Sequence, residues 1–135
     1  MIRPKKFLGQ HFLKDQNIAA RIVQSLSLKT TKAVLEIGPG TGVLTRFLAD
    51  LPLDEFKIVD IDRESIAYLR EKYVTLGSNI IEGDFLEMDI GSLFTDHYAV
   101  IGNFPYNISS QIFFKVLDNR SKVDVVVCMI QKEVA

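Results

Sequence analysis

Val34-Leu35-Glu36-Ile37-Gly38-Pro39-Gly40-Thr41-Gly42 decides the fold. A short apolar run holding one acid, Glu36, passes into three glycines at alternate positions. Leu44, Phe47 and Leu48 then recur at the spacing of one helix face. The order predicts a strand near residues 33 to 37, a glycine turn, and a helix to about Asp50. Glycines let the backbone turn sharply and approach a ligand closely, and a helix N-terminus carries partial positive charge. Alone, such a stretch also reads as a tight loop, so its neighbours must decide.

Working outward, strands and helices alternate. Upstream, Asp15 is placed to cap a helix carrying Ile18, Ile22 and Leu26. Downstream comes a strand at 56 to 61, then a helix at 63 to 73 with Ile66, Leu69 and Tyr73 on one face. A third strand falls near 79 to 83 and a fourth at 98 to 102. A helix with Ile112, Phe113, Val116 and Leu117 begins near Ser109, and a fifth strand spans 123 to 130. Alternation of this kind implies an α/β fold, a parallel sheet with helices on both faces. Residues 1 to 32 read as a basic arm and first helix, and 33 to 135 as the core. Gln131 to Ala135 follow the fifth strand with no helix to cover it. An uncovered edge strand is an aggregation liability, so the expectation is a sheet whose C-terminal strands are missing from this sequence.

Bulk composition sets further bounds. The 135 residues carry a net charge of −1, which does not suggest a nucleic-acid binder. The distribution does: residues 1 to 32 hold Arg3, Lys5, Lys6, Lys14, Arg21, Lys29 and Lys32 against Asp15 alone. A basic arm on an acidic body suits tracking of phosphates, although a solvated N-terminus would look the same. Cys128 is the single cysteine, so an internal disulfide is excluded and a reducing compartment is expected. No apolar run is long enough to span a membrane, and the basic N-terminus lacks the apolar stretch of a secretory signal. The expected location is the cytoplasm. Cysteines and histidines are too few and scattered for a zinc site, and no metal is expected.

Chemistry-bearing residues gather at the strand ends. Asp60 and Asp62 close the second strand, and one acid there can accept both ribose hydroxyls of an adenosine moiety. Asp62 has a plain alternative as the cap of the next helix. Gly83-Asp84-Phe85 follows the third strand, offering an acceptor for an adenine amino group beside an aromatic wall. Asn103-Phe104-Pro105-Tyr106 follows the fourth. The Asn103 side-chain oxygen and the Pro105 carbonyl can accept the two hydrogens of an exocyclic base nitrogen. Its lone pair would then point at an electrophile. Tyr106 can stack on a base taken out of its helix. Each motif singly reads as a turn, but ligands of open parallel sheets bind at the carboxyl strand ends.

The compact Gly38-x-Gly40-x-Gly42 spacing differs from the G-x-G-x-x-G of dinucleotide enzymes and resembles the S-adenosylmethionine site of class I, Rossmann-like methyltransferases. The motifs together resemble the ribosomal RNA adenine N6,N6-dimethyltransferases, in particular the bacterial small-subunit type. The opening Lys6-Phe7-Leu8-Gly9-Gln10-His11-Phe12-Leu13 carries that likeness too, and it runs from Phe7 to Ala135. The resemblance implies that His11 and Leu13 contact S-adenosylmethionine. It assigns Gly38 and Gly40 to the methionine portion and Asp60 to the ribose. Asp84 would meet the adenine amino group, with Ile61 and Phe85 beside the ring. Asn103 would touch both methyl donor and target base, with Pro105 and Tyr106 completing the catalytic pocket. The implied partner is small-subunit (16S) ribosomal RNA within an assembling 30S particle, met by a monomer.

Three departures from the family pattern stand out. The ribose acid is usually Glu, and Asp60 is one methylene shorter. Position 104 is usually a smaller aliphatic residue, so Phe104 is expected to narrow or reshape the pocket wall. Family members continue into a further sheet portion and a small helical domain that helps grip RNA, and both are expected to be missing from this sequence. The related macrolide-resistance enzymes of the large subunit tend to carry Lys at the place of Thr41 and Thr at that of Pro39, which favours the small-subunit type. Competing readings are a DNA adenine methyltransferase, disfavoured by Phe104, a nicotinamide-dependent oxidoreductase, disfavoured by the glycine spacing, and a non-catalytic ribosome-assembly or nucleic-acid-binding factor.

Overall fold

The computed structural model describes residues 16–26 and 31–131. Five strands form one sheet, β1 (Ala33–Ile37), β2 (Glu55–Asp60), β3 (Ile80–Glu82), β4 (Tyr98–Pro105) and β5 (Val123–Gln131). All neighbours are parallel, in the order β3-β2-β1-β4-β5. The helices are α1 (Gln16–Gln24), α2 (Thr45–Leu48), α3 (Arg63–Lys72) and α4 (Tyr106–Asp118). The order reverses direction between β1 and β4. A crevice opens at the carboxyl ends there, because the chain leaves β1 toward β2 on one side and reaches β4 on the other.

Both faces of the sheet are covered, as the alternation predicts. On one, Ala19, Val23 and Leu26 from α1 and its end, Leu44 and Leu48 around α2, and Ile66 and Leu69 from α3 pack on Val34, Ile58, Ile80 and Ile101. On the other, Ile112 and Val116 of α4 join Phe85, Ile90 and Phe94 against Leu35, Val59, Val100 and Phe104. Neighbouring residues of each strand point to opposite faces, so these buried strands need apolar residues at nearly every position. Glu36 breaks that run.

Some boundaries move. Asp62 caps α3 as expected, its carboxylate accepting from the Ser65 N–H at 3.0 Å. α2 is a single turn rather than a helix to Asp50. Pro52 disfavours helical geometry at Leu51, and the dipole available at the glycine turn is correspondingly small. The largest shift concerns β4. It runs to Pro105 instead of ending near 102, and α4 starts at Tyr106 rather than near Ser109. Pro105 needs no ladder hydrogen and serves as the N-cap, so strand passes into helix without a loop. Asp15 lies outside the described residues.

The opposite end of the sheet is tied down. An extra residue at Asp124 shifts the β4–β5 register, and its carboxylate meets the Thr31 hydroxyl at 3.0 Å and His97 Nδ1 at 2.8 Å. The buried Tyr98 hydroxyl donates to the Ile90 carbonyl at 2.6 Å, and its ring stacks on Phe94. Burial, helped by the charge of Asp89, pushes that hydroxyl up to about 12.

Candidate active site

The crevice holds a cavity of about 530 Å³ lined by Gly38, Gly40, Asp60, Ile61, Asp84, Phe85, Asn103 and Pro105, with Ile37, Val59, Ile108 and Ile112 among its apolar walls. Eight of the residues singled out in the sequence therefore share one cavity. His11 and Leu13 lie outside the described residues, as does the side chain of Tyr106, whose backbone opens α4 beside Pro105.

The glycine turn is shaped by its backbone. Gly38, Gly40 and Gly42 all have positive φ, at 63°, 59° and 87°. Gly42 is also crowded: a Cβ there would come within 3.2 Å of Leu69 Cδ2. Strain and contact both restrict that position to glycine. The Gly38 N–H donates to the Val59 carbonyl at 2.9 Å, so the turn hangs from β2 as well as β1.

Asp60 sits at the centre of this bank. Its Oδ1 accepts the Asp62 N–H at 2.9 Å, and its Oδ2 faces the Gly40 N–H at 3.4 Å. Burial raises its carboxyl above the usual range, and those two backbone hydrogens offset the rise only in part. Asp62 lies just past the end of β2 and is engaged as the cap of α3. Asp84 Oδ1 accepts the Leu86 N–H at 3.0 Å, closing a tight turn that places Phe85 against the cavity. Ile61 lies on the cavity margin, 71% exposed.

On the other bank β4 outruns β1. The β1–β4 pairing stops at Ile37 opposite Gly102, so Asn103, Phe104 and Pro105 project beyond it. Asn103 and Pro105 line the cavity, half-buried. Phe104 does not, and the expected narrowing of the wall is not what the structure has. Its ring is 1% exposed and folds back over Gly102, where a Cβ would meet Phe104 Cε1 at 2.5 Å and the Ile37 carbonyl oxygen at 2.7 Å. The bulk of Phe104 is taken up by the missing side chain at 102, inside the core.

Sequence reasoning used Glu36 only as a flank of the glycines. It is fully buried, its Oε1 accepting the Thr45 hydroxyl at 2.6 Å. Its Oε2 has no hydrogen-bond partner among the described residues. Burial pushes its carboxyl from the usual 4.5 to about 8, with the Asp60 charge adding to the rise and the Thr45 hydroxyl opposing it. At neutral pH it is mainly protonated and joins strand, turn and α2 without a buried charge. An acid inside an otherwise apolar strand was the available signal.

A family model described as ribosomal RNA adenine dimethylase matches residues 1–135. The chain belongs to this family. A relative in it, the ribosomal RNA small subunit methyltransferase A of Bacteroides fragilis, is 52% identical over 136 residues, covering 100% of this chain and 50% of the relative. The chain spans about half the length of the curated relatives it matches. Among solved structures, the 23S rRNA methyltransferase ErmE superposes with a TM-score of 0.73 at 32% identity over 87% of this chain and 46% of its own. A dimethyladenosine transferase from Plasmodium falciparum gives 0.69 at 32% identity over 86% and 42%. The family's fold is the Rossmann-like class I methyltransferase fold, in agreement with the strand order described above. Among the described residues no helix is long and apolar enough to cross a membrane, and no cluster of His, Cys, Asp and Glu could hold a metal ion.

Proposed function

We propose that this chain carries the catalytic core of an enzyme that transfers methyl groups from S-adenosylmethionine to adenine N6 in small-subunit ribosomal RNA. The observation that carries the reading is the convergence of the glycine turn, two strand-end acids and the Asn103–Pro105 segment on one cavity. Its volume falls within the range of about 300–1,000 Å³ usual for small-molecule sites. The donor set suits the cofactor: positive-φ glycines for close approach, Asp60 as ribose acceptor, Asp84 for the adenine amino group, and Ile61 and Phe85 for the ring faces. His11 and Leu13 are assigned to the same ligand through the family motif. When bound, S-adenosylmethionine supplies a methyl group on a cationic sulfur, open to displacement.

The protein's part is orientation. Adenine N6 is a weak nucleophile because its lone pair is delocalised into the ring. The Asn103 side-chain oxygen accepts one amino hydrogen and the Pro105 carbonyl the other, turning the lone pair out of conjugation. An N-cap carbonyl already receives the first helical hydrogen bond, and its second lone pair remains for the base. Tyr106 stacks on the flipped base. The nitrogen sheds its proton after the new bond forms, so no strong base is required, in keeping with a cavity lined by neither His nor Cys among the described residues. Residues 1–32 act as a basic arm and first helix toward RNA, and 33–135 as the methyltransferase core, in a monomeric cytoplasmic protein.

The test is transfer of labelled methyl groups to unmodified small-subunit particles. It uses this chain and a chimera extended with the second half of the Bacteroides fragilis relative, with nucleosides read by mass spectrometry. N6,N6-dimethyladenosine from either protein is the expected product. Cofactor binding by both, without any methylated adenosine, would instead favour a non-catalytic assembly factor.

A further inference from the structure

A lysine outside the cavity holds part of its wall. Lys115 lies on the third turn of α4, and its Nζ donates to the Leu86 carbonyl at 2.7 Å, across 29 residues of sequence. The same ammonium stands over the Phe85 ring, 5.8 Å from its centroid. Lys115 is half-buried, although a long charged side chain on a helix ordinarily extends its head to water. Fixing it costs rotamer entropy, which a charge-assisted hydrogen bond and a cation–π contact can offset.

The consequence falls on Asp84. Leu86 is held at both ends, its N–H by Asp84 Oδ1 at 3.0 Å and its carbonyl by Lys115. The Glu87 N–H returns to the Asp84 carbonyl at 3.0 Å, and the turn starts from a Gly83 N–H bonded to the Asp60 carbonyl at 2.9 Å. With one carboxylate oxygen engaged in this turn, the orientation of the other depends on where Leu86 is pinned. Phe85, 5% exposed and packed in the core, carries the same ammonium over its ring.

We propose that Lys115 is a positioning residue for adenine recognition: by clamping Leu86 and Phe85 it sets the Asp84 carboxylate to meet the purine 6-amino group. The inference rests on the cofactor reading above and adds to it a residue that touches no ligand.

The experiment compares the chain with Lys115→Met and Lys115→Arg in two measurements. The first is binding of S-adenosylhomocysteine against S-inosylhomocysteine, whose purine carries a 6-oxo group in place of the amino group. Lys115→Met should lose about tenfold in affinity for the adenine ligand and under about twofold for the oxo ligand, narrowing the discrimination. Lys115→Arg should restore most of it. The second is amide hydrogen exchange in the ligand-free chain, where Lys115→Met should accelerate exchange at 84–88 and leave 38–42 unchanged. Equal losses for both ligands, or unchanged affinities, overturn the proposal. If the unmutated chain binds neither ligand, the cofactor reading fails and so does adenine positioning. The exchange pattern then reports only whether the clamp exists.

Discussion

The two banks of the crevice are built on different principles. On the β1–β2 bank, main-chain geometry does the shaping. Three glycines with positive φ form the turn, and the carboxylates of Asp60 and Asp62 are engaged by backbone N–H groups at 2.9–3.4 Å. On the β4 bank, the chain simply continues past its neighbour, and Asn103 and Pro105 reach the cavity because Phe104 between them is anchored in the core. A bank made of backbone hydrogens suits a polar cofactor that must be held, whereas one made of a projecting amide and carbonyl suits a base that must enter, react and leave.

That division predicts separable losses. Asn103→Ala should cut methyl transfer by at least about 100-fold while leaving cofactor affinity within about threefold, since its contact with the reacting amine strengthens in the transition state whereas its contact with the methyl donor is one of many that hold the cofactor. Parallel loss of both, measured by steady-state kinetics and calorimetry, would merge the two banks into one.

Gly102→Ala attacks the base of the second bank. Its methyl would overlap both the Phe104 ring and the Ile37 carbonyl, and overpacking of this kind costs about 1–3 kcal/mol. Denaturant unfolding should show a loss near the upper end. Adding Phe104→Leu should recover part and not all of it, because the Ile37 carbonyl contact stays. Complete recovery would mean that the ring alone excludes a side chain at 102.

Glu36 lies under the first bank and gives it a pH signature. Its carboxyl is raised in the folded chain from 4.5 to about 8. Between those values the folded state holds a proton that the unfolded state has released, so stability falls as pH rises through this window. The decline between pH 6 and 8 should be about 2 kcal/mol, and Glu36→Gln should flatten it. An unchanged slope in that variant would assign the dependence to another group.

The smallest effect is expected at Asp60. Removing the carboxylate with Asp60→Ala should weaken cofactor binding about tenfold without slowing transfer at saturating cofactor. A loss confined to the transfer rate would contradict its place on the binding bank.

These contrasts also explain what was legible in the sequence. Gly38, Gly40 and Asp84 could be read because backbone geometry leaves few residues able to do their work, and parallel-sheet topology dictates that strand ends converge. Asp62 followed from capping chemistry alone. The place of Phe104 is not legible from its neighbours, since its ring direction depends on the absence of a side chain at Gly102 and on the carbonyl of Ile37 in another strand. The extent of β4 is hidden for a related reason: an Asn-x-Pro sequence reads locally as a turn, while pairing with β5 keeps it extended to Pro105, opposite Gln131. Glu36 accepts from Thr45 in the next element and Lys115 donates to Leu86 in a distant loop, contacts that spacing does not reveal.

The central claim is that this cavity is a methyl-donor site. Calorimetric titration of the chain with S-adenosylmethionine tests it most directly, with NAD as the comparison ligand and circular dichroism to establish that the chain is folded. Saturable binding of S-adenosylmethionine, with no heat from NAD, is the predicted result. A folded chain that binds NAD, or neither ligand, would contradict it.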